Sequence, residues 1–201
     1  MTAPAQPLTI GVLALQGAYD VHARALTALG VTPSLVRKPQ ELAGLDGLVM
    51  PGGESTTMLK FLERGGFFEL LKSYVKTTPT FGTCAGAILL AAHVEAPAQR
   101  SLGVLDITVE RNAYGRQIDS TILTGETTLP GGPLEMVFIR APRIRSTGPG
   151  VETLATRDGF PTLVRSGHLL AATFHPELSH DPRVHQLFLS IVREHKDAAA
   201  K

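Results

Sequence analysis

The stretch Phe81-Gly82-Thr83-Cys84-Ala85-Gly86 decides the fold, because an apolar segment runs there into a turn that carries the single cysteine between two glycines. Gly-x-Cys-x-Gly has the spacing of the nucleophile elbow Gly-x-Ser-x-Gly, a sharp strand-to-helix turn with no room for neighbouring Cβ atoms. Good helix formers follow in 85–92, so the thiol lies at a helix N-terminus, where the dipole favours thiolate. A lone cysteine after a strand is more often inert core, but the flanking glycines favour a nucleophile.

Strands and helices are predicted to alternate on the N-terminal side of this elbow. Nearly continuous apolar runs indicate buried strands, and amphipathic segments with glycine after them indicate helices. The predicted strands are 8–15, 33–37 and 46–50, and the predicted helices are 19–29, 55–64 and 67–76. The alternation favours a three-layer α/β fold: a doubly wound, mostly parallel sheet with helices on both faces, whose ligands bind at the carboxyl ends of the strands.

The chain changes character after the elbow. From 103 to 165 the helical period fades, and β-rich pieces such as 105–110 and 135–140 are separated by Gly and Pro turns, which predicts an antiparallel β extension. One more apolar strand, 168–174, and a final helix, 182–195, complete the pattern. We expect one domain over 1–201, with frayed tails at 1–7 and 196–201.

Composition narrows the class of protein. With 201 residues, 43% hydrophobic and 18% charged residues and a net charge of +1, the chain predicts neither a nucleic-acid binder nor a disordered protein. One cysteine cannot form an internal disulfide, which fits a reducing compartment. Residues 1–7 lack the features of a signal peptide, and no apolar run is long enough to span a membrane. We therefore expect a cytoplasmic protein without a nucleic-acid or membrane partner.

A base for Cys84 is predicted at the end of the strand 168–174. His175 and Glu177 lie two residues apart, and Pro176 favours extended geometry at His175, so both side chains project to one side. In such a sheet the strand ends converge, so His175 takes the thiol proton and later protonates the leaving amine, while Glu177 fixes the tautomer.

The histidine-rich segment around this pair also has other interpretations. As a metal site its spacing matches no standard ligand template, and we predict no metal; the residues concerned are His175, Glu177, His180, Asp181 and His185. Solvated surface positions are the simpler interpretation of the remaining histidines. These are His180, His185, His22, His93, His168 and His195.

The glycine-rich segment 51–56 is predicted to open a helix. It resembles a phosphate cradle but lacks the lysine of a P-loop, and Ser55 or Thr56 as a plain helix N-cap is the structural alternative. The functional alternative is that backbone N–H groups here, at Gly52 and Gly53, join that of Ala85 in an oxyanion hole. Arg111 and Arg140 follow β-rich stretches, where they are either solvated, as most arginines are, or placed to bind a substrate carboxylate.

Together these residues resemble a known family. A Cys-His-Glu triad on such a sheet is similar to the class I glutamine amidotransferases, and particular strings resemble the glutaminase subunits of pyridoxal 5′-phosphate synthase, the PdxT family. In the family's order the strings are 13–18, 51–58, 82–86, 109–112 with 115–117, 138–142 and 174–178. The wider amidotransferase elbow often has glutamine where this chain has Ile88, which favours this subfamily over its relatives.

The resemblance implies that the chain hydrolyses L-glutamine to L-glutamate and ammonia through a γ-glutamyl thioester on Cys84, with His175 and Glu177 completing the triad. It implies no cofactor or metal and an ammonia-accepting partner, the pyridoxal 5′-phosphate synthase subunit. We expect that partner to be a separate chain. We hypothesise that Gln16-Gly17 helps to complete the oxyanion hole when the partner binds. The glutamine-binding residues that the resemblance implies are Gly53, Glu54, Ser55, Arg111, Ile139 and Arg140.

Three other functions remain open at this point. The first is a glutaminase subunit of another amidotransferase, such as imidazole glycerol phosphate synthase. The second is a cysteine hydrolase with a similar elbow, which would act without a partner and need no arginine clamp. The third is a noncatalytic domain that retains the fold, which an intact triad disfavours.

Overall fold

The computed structural model describes residues 7–113 and 121–200. Its central feature is a seven-stranded sheet. The strands of this sheet are β1 (Ile10–Leu13), β2 (Ser34–Val36), β3 (Gly47–Met50), β4 (Thr80–Thr83), β10 (Glu152–Arg157), β11 (Phe160–Ser166) and β12 (Leu169–Ala172). Their order across the sheet is β10-β11-β12-β4-β3-β1-β2. All pairs from β2 to β12 are parallel, whereas β11 and β10 add to the edge as antiparallel strands.

Helices cover both faces of this sheet. They are α1 (Tyr19–Ala28), α2 (Ser55–Glu63), α3 (Phe67–Val75), α4 (Ala85–Leu90) and α5 (Arg183–Ala199). Successive side chains of a strand point to opposite faces, so Val12 packs in the core that contains Leu26 of α1 and Phe188 of α5, while Leu13 packs in the core that contains Met58 of α2. The three-layer, doubly wound fold predicted from the sequence is thereby confirmed.

The predicted extension consists of smaller sheets. Its strands are β5 (Ala91–Glu95), β6 (Leu105–Glu110), β7 (Thr121–Gly125), β8 (Leu134–Phe138) and β9 (Arg143–Thr147). Strand β6 pairs antiparallel with β9, and β7 pairs antiparallel with β8, whereas β5 lies parallel to β6. The extension thus presents the ends of β6 and β8 beside the main sheet.

Two helix ends differ from the sequence-based expectation. The helix predicted over 85–92 ends at Leu90, because Ala91 enters β5 and pairs with Leu105. The final helix, predicted to end at residue 195, continues as α5 to Ala199. Lys196 is held there by an ion pair with Asp46, with 2.9 Å between the nitrogen and the nearer carboxylate oxygen.

None of the helices in the described part of the chain is long and apolar enough to cross a bilayer.

Candidate active site

Cys84 lies at the sharp turn between β4 and α4, with its backbone at φ 48° and ψ −102°. Positive φ is rare for a residue with a side chain and is a form of backbone strain that clusters at functional sites. Hydrogen bonds from Cys84 N to Ala172 O (2.8 Å) and from Ile88 N to Cys84 O (3.1 Å) fix the turn. Cys84 is buried and its thiol is free.

The glycines on either side of Cys84 are required by close backbone packing. A Cβ on Gly82 would lie 2.7 Å from the carbonyl of Gly86, and a Cβ on Gly86 would overlap the carbonyl oxygen of Met50 in β3. The second contact is with backbone, which cannot rotate away. The steric reason given for the Gly-x-Cys-x-Gly pattern therefore applies to this turn.

His175 and Glu177 follow β12, which is the parallel neighbour of β4. The Nδ1 atom of His175 lies 2.7 Å from Oε1 of Glu177, and His175 N donates to Val137 O at 2.8 Å. Burial works against the charged form of His175, but hydrogen bonds to Cys84 and Glu177 and their charges raise its pKa to about 10. The imidazole thus holds a proton at neutral pH, between a sulfur atom and a carboxylate.

Burial also disfavours the charged form of Glu177, but the adjacent His22 and His175 lower its pKa below the ordinary value. Because its pKa is lowered, the carboxylate of Glu177 is ionised, and because Glu177 is only 6% exposed, that charge is largely shielded from water. The structure therefore brings the three residues of the predicted triad together in the order sulfur, imidazole, carboxylate.

A cavity of about 240 Å³ opens beside this triad. That volume lies below the roughly 300–1,000 Å³ of pockets for drug-sized ligands, so it suits a smaller molecule. Of the predicted site residues, four do not line it: Gly17, Gly52, Ala85 and Glu177. Its walls are Gln16, Gly53, Glu54, Ser55, Cys84, Ile88, Arg111, Asn112, Ile139, Arg140 and His175.

One wall of the cavity carries charges of both signs. Arg111 follows β6, and its Nη2 lies 3.6 Å from Oε1 of Glu54. Hydrogen bonds from Thr56, together with the charges of Arg111 and Arg140, lower the pKa of Glu54. Arg140 lies two residues beyond β8 at φ 44°, a second strained position on a residue with a side chain. This wall can bind a zwitterion, with its ammonium at Glu54 and its carboxylate at the arginines.

Two glycine-containing loops pack together on the nucleophile's side of the cavity. Ala18 N donates to Gly52 O at 3.0 Å, and Glu54 N donates to Oε1 of Gln16 at 2.8 Å. Gly17 has a φ of 94°, and a Cβ there would overlap the carbonyl oxygen of Gly52. A Cβ on Gly52 itself would lie 3.2 Å from Cβ of Cys84. The loops therefore reach the elbow, and the Gln16 side chain connects them.

The prediction that His22 and His185 are solvated surface residues is wrong. Their exposed fractions are 0% and 1%, and Nδ1 of His22 lies 3.1 Å from Nε2 of His185. His22 Nε2 also lies 3.3 Å from Oε2 of Glu177. The two rings pack in the core between α1, α5 and the sheet, because buried imidazoles can be satisfied by other polar groups there.

The sequence contained a signal for both buried histidines. His22 is four residues before Leu26 on α1, and His185 is three residues before Phe188 on α5, so each lies on the apolar face of its helix. Asn112 also lines the cavity, although its polar turn gave no reason to select it over its neighbours.

The other histidines outside the triad are more exposed to solvent, as predicted. His93, His180 and His195 are exposed, which confirms the prediction for them. His168 is half-buried: its Nε2 lies 3.0 Å from Val75 O, and its ring centroid lies 5.6 Å from that of His195.

In the residues that the structure describes, no group of three or more His, Cys, Asp or Glu side chains could hold a metal ion. The string 115–117, part of the sequence resemblance, lies outside the described residues.

A doubly wound sheet that presents Cys84, His175 and Glu177 beside a small charged cavity has the architecture of a glutamine amidotransferase. The family model of the SNO glutamine amidotransferases matches residues 12–194. The chain belongs to the SNO glutamine amidotransferase family and is a glutaminase of that family. The family resemblance predicted from the sequence strings is confirmed.

Relatives match over nearly their whole length. The pyridoxal 5′-phosphate synthase subunit PdxT of Koribacter versatilis (strain Ellin345) is 63% identical over 186 residues, which cover 92% of this chain and 96% of the relative. The protein of the same name from Thermotoga maritima is 50% identical over 188 residues, covering 92% and 100%.

Solved structures agree with the fold. A crystal structure of a glutamine amidotransferase is 47% identical, with a TM-score of 0.85 over 91% of this chain and 98% of that one. A second glutamine amidotransferase structure, from Thermotoga maritima, has a TM-score of 0.60 over 96% and 98%, and its 14% identity shows a shared fold alone.

Proposed function

We propose that this chain is the glutaminase subunit of pyridoxal 5′-phosphate synthase, hydrolysing L-glutamine and delivering the ammonia to a separate synthase subunit for vitamin B6 biosynthesis. The observation that carries the proposal is the Cys84–His175–Glu177 arrangement beside a cavity of about 240 Å³ with a charged wall. The name and near-complete coverage of the curated relatives support the choice of synthase. The single cysteine fits a cytoplasmic location.

Glutamine binds through its amino-acid end at the charged wall. Glu54 takes the α-ammonium group, and Arg111 and Arg140 take the α-carboxylate, which leaves the side-chain amide to reach Cys84. Gly53, Ser55 and Ile139 line the same cavity. Fixing both ends of the molecule turns attack on the amide into a unimolecular step, a large source of rate acceleration.

The chemistry is acyl transfer in two halves. The sulfur of Cys84 attacks the amide carbon, and His175 donates its proton to the leaving nitrogen, so the C–N bond breaks and ammonia departs. Water then attacks the carbonyl carbon of the γ-glutamyl thioester while His175 accepts one of its protons, and the C–S bond breaks. Glutamate leaves, its new carboxyl group loses its proton to solvent, and the sulfur of Cys84 and the protonated His175 are restored. Glu177 keeps Nδ1 of His175 protonated throughout.

The negative oxygen formed in each half requires hydrogen-bond donors. We assign this role to backbone N–H groups of Gly52, Gly53 and Ala85, because the glycine loop lies against the elbow. Gln16 and Gly17 connect to that loop through the bond from Glu54 N. Docking of the synthase subunit onto the Gln16-Gly17 loop would then adjust the donors and couple glutamine hydrolysis to the presence of an acceptor.

A glutaminase assay with and without the synthase subunit tests the proposal. Wild type is expected to release glutamate, faster with the partner, and Cys84→Ala to lose turnover but still bind the partner. An electrophilic glutamine analogue is expected to add its mass to Cys84. Turnover that persists in Cys84→Ala, or a mass shift on another residue, would reject the assigned nucleophile.

Partner choice is tested by exchanging the synthase. Stimulation by the imidazole glycerol phosphate synthase partner instead would favour the other amidotransferase. Peptide or amide hydrolysis without any partner would favour a cysteine hydrolase. For the gating loop, Gln16→Ala is expected to reduce partner-stimulated turnover, and unchanged stimulation would remove Gln16 from the mechanism.

A further inference from the structure

Glu177 holds His175 with only one of its carboxylate oxygens. Oε1 accepts from His175, whereas Oε2 is buried and has no hydrogen bond of good geometry in the described structure. The side chain that faces Oε2 is His22, whose Nε2 lies at 3.3 Å. An unpaired oxygen on a buried carboxylate costs free energy, so the contact of Oε2 with His22 influences the position of the Glu177 carboxylate.

The surroundings of His22 decide which nitrogen carries its proton. The titratable groups that face it are Glu177 and His185, with His175 beyond Glu177. Nε2 is 3.0 Å from Thr83 Oγ1 and 3.3 Å from the carboxylate of Glu177. A lone pair on Nε2 would face a carboxylate oxygen, which is repulsive, so the proton lies on Nε2 and points between Thr83 and Glu177.

His185 completes the arrangement from the other side. With Nε2 of His22 protonated, Nδ1 is an acceptor, and Nε2–H of His185 donates to it across 3.1 Å. Burial lowers the pKa of both rings, that of His185 to about 3, so both are neutral. Phe81 closes the cluster with its ring at 6.2 Å and 89° to that of His22.

We propose that His22 is a positioning residue of the glutaminase: its neutral imidazole, oriented by His185, donates from Nε2 toward Oε2 of Glu177 and holds that carboxylate on His175. The donors then converge on Glu177: His185 donates to His22, while His22 and His175 each donate toward one oxygen of the carboxylate, which leaves the other nitrogen of His175 for the sulfur. This inference rests on the proposed glutaminase reaction. It adds a role for α1 and α5, which otherwise only cover the sheet.

The test compares His22→Gln with His22→Asn and His22→Leu in the complex with the synthase subunit. A glutamine amide reaches the place of the Nε2–H donor, an asparagine amide reaches only that of Nδ1, and leucine has no donor. We expect His22→Gln to keep kcat within about threefold, and the other two to lose about ten- to a hundredfold, the scale seen when outer partners of functional histidines are removed. KM is expected to change by less than about twofold, because His22 does not line the cavity.

The acid limb of the pH profile supplies a readout that packing alone does not move. A donor to a carboxylate favours its charged form, so losing it raises the pKa of Glu177 and moves the acid limb to higher pH in His22→Leu. His168→Leu is the matched control, since it removes a half-buried histidine that bonds to Val75 O at 3.0 Å, remote from the triad. It is expected to keep the wild-type profile.

The inference is overturned if His22→Leu keeps the kcat and acid limb of His168→Leu, or if Gln and Asn at position 22 are equally active. The Gln and Asn comparison decides the matter even if His22→Leu fails to fold, because the two amides differ only in reach. A wild-type complex that releases no glutamate would instead reject the proposed function. The two failures are therefore distinguishable.

Discussion

Replacing Gly86 by alanine separates two opposing effects at the elbow. Alanine is favoured over glycine inside a helix by about 1 kcal/mol, and Gly86 is the second residue of α4. Its added Cβ, however, would overlap the Met50 carbonyl oxygen and lie 2.8 Å from the Met50 carbonyl carbon and 3.0 Å from its Cβ. Overpacking costs about 1–3 kcal/mol where side chains can adjust, and here the obstacle is backbone. We therefore expect net destabilisation.

The same overlap is expected to reduce catalysis. Cys84 precedes α4, and the Gly52-Gly53 loop follows β3, so relief of the clash moves the nucleophile away from the glycine loop. A displacement of about 1 Å can cost about a hundredfold in rate. Urea unfolding should report the stability loss through its midpoint, and the partner-stimulated glutaminase assay should report a kcat lowered about ten- to a hundredfold.

Gly159→Ala provides the matched control. Gly159 lies in the turn between β10 and β11 at φ 77°, and a Cβ there meets nothing within 4 Å. Alanine at positive φ costs about 1–2 kcal/mol, so this variant loses similar stability for a different reason, at a residue that does not line the cavity. Its kcat should remain that of wild type. A Gly86→Ala protein that is stabilised, or that keeps its kcat within about twofold, would refute the packing argument.

Three further predictions rest on single contacts. Arg111→Met should raise KM for glutamine at least about tenfold with a smaller change in kcat, because the charged wall holds the substrate's ends; steady-state kinetics that show only a kcat change would contradict this. Interactions raise the pKa of His175 above its unfolded value to about 10, so its stabilising effect is present at low pH and lost as pH rises through about 10. The same deprotonation removes the proton that His175 donates to the leaving nitrogen, so kcat/KM should also fall near pH 10; an alkaline limb near 6.5 would count against it. Phe188→Ala should lower the free energy of unfolding, measured with urea, by about 3–5 kcal/mol and leave kcat unchanged, because its buried ring packs 5.7 Å from that of Phe81. A decrease under about 1 kcal/mol would show that the surrounding core closes the space left by the ring.

The positions of the cysteine turn and of the His175–Glu177 pair could be predicted because each is encoded by a few adjacent residues. A local steric pattern is formed by Gly82, Cys84 and Gly86. His175 and Glu177 follow a strand whose end can be predicted from the sequence. Strand order then brings them together, since parallel strands β4 and β12 are neighbours. Short-range chemistry and a simple topology rule were sufficient for this part of the site.

The contact between the two buried histidines could not be identified in the same way. His22 and His185 lie 163 residues apart, and nothing in the sequence beside either residue points to the other. Helical spacing places each residue on the apolar face of its helix, but their contact depends on α1 and α5 meeting over the same face of the sheet, which that spacing does not specify. The ion pair of Lys196 with Asp46, which extends α5 beyond the predicted end, depends on a contact of the same long-range kind.

The proposed site divides chemistry and recognition between two parts of the fold. The proposed nucleophile, base and glycine loop follow β4, β12 and β3 of the main sheet, whereas the proposed substrate-binding residues Arg111 and Arg140 follow β6 and β8 of the extension. Glu54 joins the two parts, because it begins α2 on the main sheet and lies 3.6 Å from Arg111. A movement of the extension relative to the sheet would thus change glutamine binding without disturbing the triad. A movement of the loops at Gln16 and Gly52 would change oxyanion stabilisation without releasing the substrate, which is the separation a partner needs if it is to control turnover rather than affinity.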